Sequence, residues 1–96
     1  MVRNYEIAFL IKEGEIVKQA VERIKEYLSK IKANLVSEND MGTRHLAYKI
    51  HRNREDFHRA FYYFARVEME TTSIPDLEKK IKFDEDIIRY MIVVGS

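Results

Sequence analysis

From Phe61 to Glu70 the chain alternates between two kinds of side chain, and this period of two constrains the fold most. Phe61, Tyr63, Ala65, Val67 and Met69 make one stripe; Tyr62, Phe64, Arg66, Glu68 and Glu70 make the other. Successive strand residues point to opposite faces. The segment from about His58 to Glu70 therefore reads as a strand with one face for a core. Its other face mixes aromatics with charges and is expected to stay open.

The rest of the chain supplies partners for that strand. Asn4 to Ile11 is short and rich in β-formers, with Tyr5, Ile7, Phe9 and Ile11 on one side and Ala8 and Leu10 on the other. Val17, Ala20, Val21, Ile24, Leu28 and Ile31 then recur at helical spacing between charged residues, which predicts an amphipathic helix. After Asn34 a long strand to Ile50 is expected, interrupted near Asp40 to Gly42, and His51 to Asp56 reads as a polar connection. Ser73 to Asp76 fits a capping box, a serine hydroxyl with a carboxylate three residues on. It opens a short helix carrying Ile74, Leu77 and Ile81. Ile87 to Val94 is the last strand.

The order is β-α-β-β-α-β. Right-handed crossovers turn it into the α+β, ferredoxin-like arrangement: a four-stranded antiparallel sheet with both helices on one face. Residues 1–96 are thus expected to form a single domain, in keeping with typical domain sizes. The bare sheet face, with Ala8, Leu10, Tyr62 and Phe64, is a candidate binding surface.

Charge is distributed unevenly. The chain carries a formal net charge of only +1. Yet Arg44, Lys49, Arg52, Arg54, Arg59 and Arg66 face only Glu55 and Asp56 in the segment from Arg44 to Arg66, and His45, His51 and His58 lie there too. Such asymmetry points to a polyanion or an acidic partner.

Catalytic chemistry is hard to assemble from these residues. Cysteine is absent, which removes disulfides, thiolate ligands and a thiol nucleophile. The three histidines form no HxH or HxxxH pair, Gly14, Gly42 and Gly95 are isolated, and no serine sits in an elbow motif. Asp84 and Asp86 flank a turn, where acids are common for structural reasons. No enzyme activity, metal, cofactor or small-molecule substrate is therefore expected. No apolar run approaches the roughly 20 residues of a membrane span, and the N-terminus lacks a signal-peptide pattern, so a cytoplasmic chain without membrane attachment is expected. RNA is the favoured ligand class, because exposed sheet aromatics stack bases and arginines hold phosphates. Two alternatives stay open: a free-standing RNA-recognition-type module stacking single-stranded RNA on Tyr62 and Phe64, and a ligand-binding regulatory domain that dimerises through its sheet.

Several segments together resemble the bacterial small-subunit ribosomal protein S-six (S6) family. They are Arg3-Asn4-Tyr5-Glu6, Met41-Gly42-Thr43-Arg44-His45-Leu46-Ala47-Tyr48-Lys49-Ile50, Val67-Glu68-Met69 and Asp86-Ile87-Ile88-Arg89-Tyr90-Met91. The resemblance covers essentially the whole chain, and its most specific part is Gly-x-Arg-x-Leu-Ala-Tyr. It implies the ferredoxin-like fold, no catalysis, a place on the ribosome, and binding to the central domain of small-subunit (16S) rRNA together with ribosomal protein S-eighteen (S18). Carried over residue by residue, it implies RNA contacts at Arg3, Arg44, His45 and Arg89. His45 stands where an arginine is common, Ile88 where a second arginine can occur, and Asn4 where some members have a basic residue. For the S18 heterodimer the expected interface is Ala8, Tyr48, Lys49, Ile50 and Phe64.

Overall fold

A computed structural model describes residues 1–95. The elements follow the expected order: β1 (Val2–Ile11), α1 (Ile16–Lys30), β2 (Asn34–Arg52), β3 (Glu55–Glu70), α2 (Ile74–Lys82) and β4 (Ile87–Val94). The four strands form one sheet in the order β2-β3-β1-β4, antiparallel at every pairing.

Register places the two stripes of β3 as the alternation requires. Tyr5, Ile7, Phe9 and Ile11 of β1 lie opposite Val67, Ala65, Tyr63 and Phe61 of β3. These β1 residues are buried in one core with Tyr63, Ala65, Val67 and Met69, and with Ala20, Ile24 and Leu28 of α1 and Leu77 and Ile81 of α2. Residues of one strand parity meet both helices, so the helices share a face of the sheet. Phe9 and Tyr63 stack with ring centroids 5.9 Å apart, at the centre of that face.

A second, smaller cluster was not anticipated. Ile50, Phe57, Ala60 and Ile88 bury one another, with Leu10, Leu46 and Tyr62 packed around them. The end of the β2–β3 hairpin thereby meets the start of β4. The bend that allows this is a register shift between His45 and Ile50, where β2 carries extra residues relative to β3, the signature of a bulge. The interruption expected near Asp40 to Gly42 is also present as a register shift between those two residues, and Gly42 adopts φ 79° there.

Two local expectations need correction. His51 to Asp56 is no open connection, because the strands run on to Arg52 and resume at Glu55. Asn53 and Arg54 make the reversal alone, at φ 52° and 63°, the left-handed pair whose twist suits a two-residue hairpin. Ser73 does not cap α2 through its side chain; its own backbone is already helical, at φ −83° and ψ −14°. The reason is the single 3₁₀ turn Thr71–Ser73 that leads straight into the helix, so the serine never takes the extended geometry a capping hydroxyl needs. Pro75 does sit in the first helical turn, where its missing N–H costs nothing.

The loop before β4 is tied to α1. The Arg23 guanidinium donates to both carboxylate oxygens of Asp84 at 3.0 Å each and to Asp86 at 2.7 Å. Tyr27 Oη donates to Asp84 at 2.7 Å and the Asp86 N–H does so at 3.0 Å. Burial pushes the Asp84 carboxyl up, but Arg23, Tyr27 and the Asp86 amide outweigh it and hold it below the usual carboxylate range. These acids are structural, as their turn position suggested.

Candidate nucleic-acid and protein interface

The face of the sheet away from the helices is built by the even residues of β1 and their neighbours. Ala8 lies between Phe64 of β3 and Met91 of β4. Glu6 lies between Arg66 and Val93, and Leu10 between Tyr62 and Arg89. Among the described residues no element covers Phe64, Met91 or Val93; Met91 is 64% exposed and Phe64 37%. A groove of about 420 Å³ runs here, lined by Ala8, Phe64, Met91 and Val93 with Asn39 and the Glu6–Arg66 pair at its margin. That pair closes at 2.7 Å across the strands with both side chains about half exposed, so it orients charge at the rim more than it stabilises the fold.

The expected partner-interface residues divide in three. Ala8 and Phe64 are neighbours on this groove. Tyr48 and Lys49 sit in the bulge of β2, with Tyr48 85% exposed and the Lys49 ammonium 3.6 Å from Asp56. Ile50 departs from expectation: it is buried in the second cluster against Phe57 and Ile88, because the bulge turns it inward beneath the hairpin. Met91 and Val93 are apolar side chains of the open face that the sequence reading did not single out. Their alternation with Tyr90 and Ile92 carried the signal, but a strand apolar throughout gives no cue to which side is covered.

The expected RNA-contact residues are all exposed but do not form one patch. Arg44 and His45 adjoin on β2, with Arg44 Nε donating to the Met41 carbonyl at 3.3 Å and His45 opposite Arg59. Arg89 projects from β4 opposite Leu10. Arg3 lies near the other end of β1, opposite Met69. At the rise of a strand it is roughly 23 Å from Leu10, and alternation turns it to the helical side. Arg3 and Arg89 therefore lie on different parts of the surface.

Around the hairpin several basic side chains are already engaged. His51 Nδ1 lies 2.7 Å from Asp56, Arg59 pairs with Glu13 at 3.6 Å, and Arg52 donates to the Lys82 carbonyl at 3.0 Å. The His51 contact, ahead of Lys49, holds the Asp56 carboxyl below its ordinary range. Among the described residues Arg44, Arg54, Arg89 and Arg3 make no ion pair, leaving their charge available to phosphate.

Tyr62, the first half of the expected stacking platform, packs on the second cluster. This leaves Phe64 as the more open aromatic of that pair. Among the described residues no three His, Asp or Glu side chains gather as a metal site, and no helix is long and apolar enough to cross a membrane.

Comparison with known proteins adds to this geometry. The family model described as ribosomal protein S6 matches residues 4–94. A small ribosomal subunit protein bS6 from Campylobacter lari is 36% identical over 95 residues, covering 96% of this chain and 73% of that protein. The protein of the same name from Helicobacter pylori is 32% identical over 95 residues, again covering 96% of this chain but 64% of the relative's length. The chain thus spans somewhat less than two thirds of that relative. The crystal structure of 30S ribosomal protein S6 from Thermotoga maritima superposes with a TM-score of 0.87 over 99% of this chain and 89% of that one, at 24% identity. That likeness carries the fold.

Proposed function

This chain belongs to the ribosomal protein S6 family, and from that premise we propose that it is a structural, non-catalytic constituent of the small ribosomal subunit in the cytoplasm. It binds the central domain of 16S rRNA as a heterodimer with ribosomal protein S18. The observation that carries the division of labour is the open apolar groove at Ala8, Phe64, Met91 and Val93. Exposed arginines without an ion pair lie outside it, Arg89 farther along the same sheet face and Arg44 on β2.

Each surface suits one partner. An apolar groove with a polar rim matches the anatomy of a protein interface, and S18 seats there, with Tyr48 and Lys49 extending the contact along the β2 bulge. Arg44, His45 and Arg89 hold phosphate and sugar, which positions the protein without reading much sequence, while Arg3 makes a separate contact at the far end of β1. Few phosphate contacts by a chain of net charge +1 give weak binding alone and a shallow salt dependence. The S18 surface supplies the remainder, so the heterodimer binds RNA more tightly than either protein.

Binding of a 16S central-domain fragment to the heterodimer, measured across salt concentrations, tests the assignment. Arg44→Ala is expected to lower the salt slope by about 1. A slope unchanged in Arg44→Ala and in Arg89→Ala would move the RNA surface elsewhere.

A further inference from the structure

The two edges of the sheet are built differently. β2 ends it on one side and β4 on the other. β2 is broken by register shifts at Leu35/Ser37, Asp40/Gly42 and His45/Ile50 and carries Glu38, Asp40, Arg44 and Lys49. Bulges and charges of this kind keep an edge from pairing with another chain. β4 lacks them. From Arg89 to Val94 its register with β1 is unbroken, it holds no proline or glycine, and Arg89 at its start is the one charge. Met91, Val93 and Val94 are exposed. The Gly95 N–H donates to the Asn4 carbonyl at 2.8 Å. Bonding alternates along an antiparallel strand, so Arg89, Met91 and Val93 turn their backbone groups toward β1. Tyr90, Ile92 and Val94 turn theirs outward, where the sheet has no further strand.

Laid antiparallel on a second β4 with the two-fold axis at Ile92, this edge matches itself. Tyr90 falls opposite Val94 of the second copy, Met91 opposite Val93, and Ile92 opposite Ile92. Every opposed pair is apolar or aromatic, the kind that stabilises neighbouring strands. The outward N–H and C=O groups of all three residues find partners in this register. Arg89 and its symmetry mate stand six residues out of step, roughly 20 Å apart, so no like charges meet. A segment recognised through its charge finds no handle here, whereas a second copy supplies an apolar strand of equal length. We propose that two copies of this chain pair edge to edge through residues 90–94 of β4, joining their sheets about a two-fold axis at Ile92. The open face then runs on from Met91 to Val93 of the second copy. The contact is smaller than the roughly 1,200 Å² of a standard interface, so the dimer is weak and reversible. This pairing goes beyond the ribosomal reading and does not depend on it.

Sedimentation equilibrium of the chain alone, from about 1 μM to 1 mM, tests the pairing. The average mass is expected to rise from one chain toward two across that range. Val94→Pro removes an outward N–H while leaving the bonds to β1, a place where an edge strand tolerates proline. By symmetry it deletes two hydrogen bonds of the dimer and should weaken it about tenfold or more. Register is read by cross-linking, since the chain has no cysteine of its own. In the proposed register Ile92→Cys brings two Cα atoms to about 5.5 Å, within disulfide reach. Val94→Cys leaves its pair roughly 14 Å apart. The first should therefore oxidise to a covalent dimer about tenfold faster or more, and this comparison decides if Val94→Pro does not fold. A single-chain mass up to 1 mM, a dimer indifferent to Val94→Pro, or equal cross-linking at both positions would overturn the proposal. No RNA or S18 enters these measurements, so their outcome is separate from that of the ribosomal assignment.

Discussion

Arg23 of α1 and Asp84 of the loop before β4 are joined by two hydrogen bonds of 3.0 Å each, with the aspartate side chain 3% exposed and the arginine 33%. The contact bolts the first helix to the entry of the last strand. Removing Arg23 leaves an enclosed carboxylate with only Tyr27 and the Asp86 amide to satisfy it. Arg23→Ala should therefore cost about 2–3 kcal/mol in urea unfolding, below the range for a fully buried pair because the guanidinium is partly solvated. A loss under about 0.5 kcal/mol, the size of an ordinary surface change, would show that the pair is ornamental.

The same carboxylate sets an acid limit. Its folded-state titration lies below the ordinary range, so the unfolded chain takes up the proton first and stability rises with pH across that window. The contribution is complete above the unfolded value of about 3.9 and is lost as pH falls through the lower folded value. Asp84→Asn is expected to destabilise at pH 7 and to flatten the acid limb of the stability curve below about pH 4. Equal acid limbs in both proteins would place the acid sensitivity elsewhere.

Ile88 tests the unanticipated second cluster. It is 3% exposed among Ile50, Phe57 and Ala60. Ile88→Ala should cost about 2–4 kcal/mol, as in other buried isoleucine truncations. It should also raise hydrogen exchange in the hairpin end before the main core opens. Uniform loss of protection across both clusters would mean they are one cooperative unit.

Phe64 and Met91 probe the open face without touching the core. Both flank Ala8, and Met91 is 64% exposed. Met91→Glu should leave stability within about 0.5 kcal/mol while weakening S18 binding tenfold or more by placing a charge in an apolar contact. Titration calorimetry with the purified partner reads this directly, and undiminished affinity would remove the groove from the interface.

Much of this arrangement was legible in the residues. The β3 alternation separated Tyr63, Val67 and Met69, all buried, from Phe64 and Arg66, because a strict period of two has one physical solution. The four-residue spacing of Ala20, Ile24 and Leu28 marked the buried stripe of α1 equally well. The burial of Ile50 was not legible for a definable reason: a bulge several residues long between His45 and Ile50 resets which face follows, and no residue type announces it. Arg23 looked like a solvated helix residue because its partners lie about sixty residues away. Ser73 misled because the capping pattern carries no record of the 3₁₀ turn that precedes it. For the site, the types of residue were readable but their grouping was not: only pairing shows that Ala8 and Phe64 touch while Arg3 and Arg89 stand apart.

The central claim is partner-dependent RNA binding, with S18 on the apolar groove and RNA on the unpaired arginines. Its most direct test is the affinity of the chain for a 16S central-domain fragment with and without S18, at two salt concentrations. The account predicts tight binding only with the partner, lost when Met91→Glu blocks heterodimer formation. Equal RNA affinity with and without S18 would contradict it.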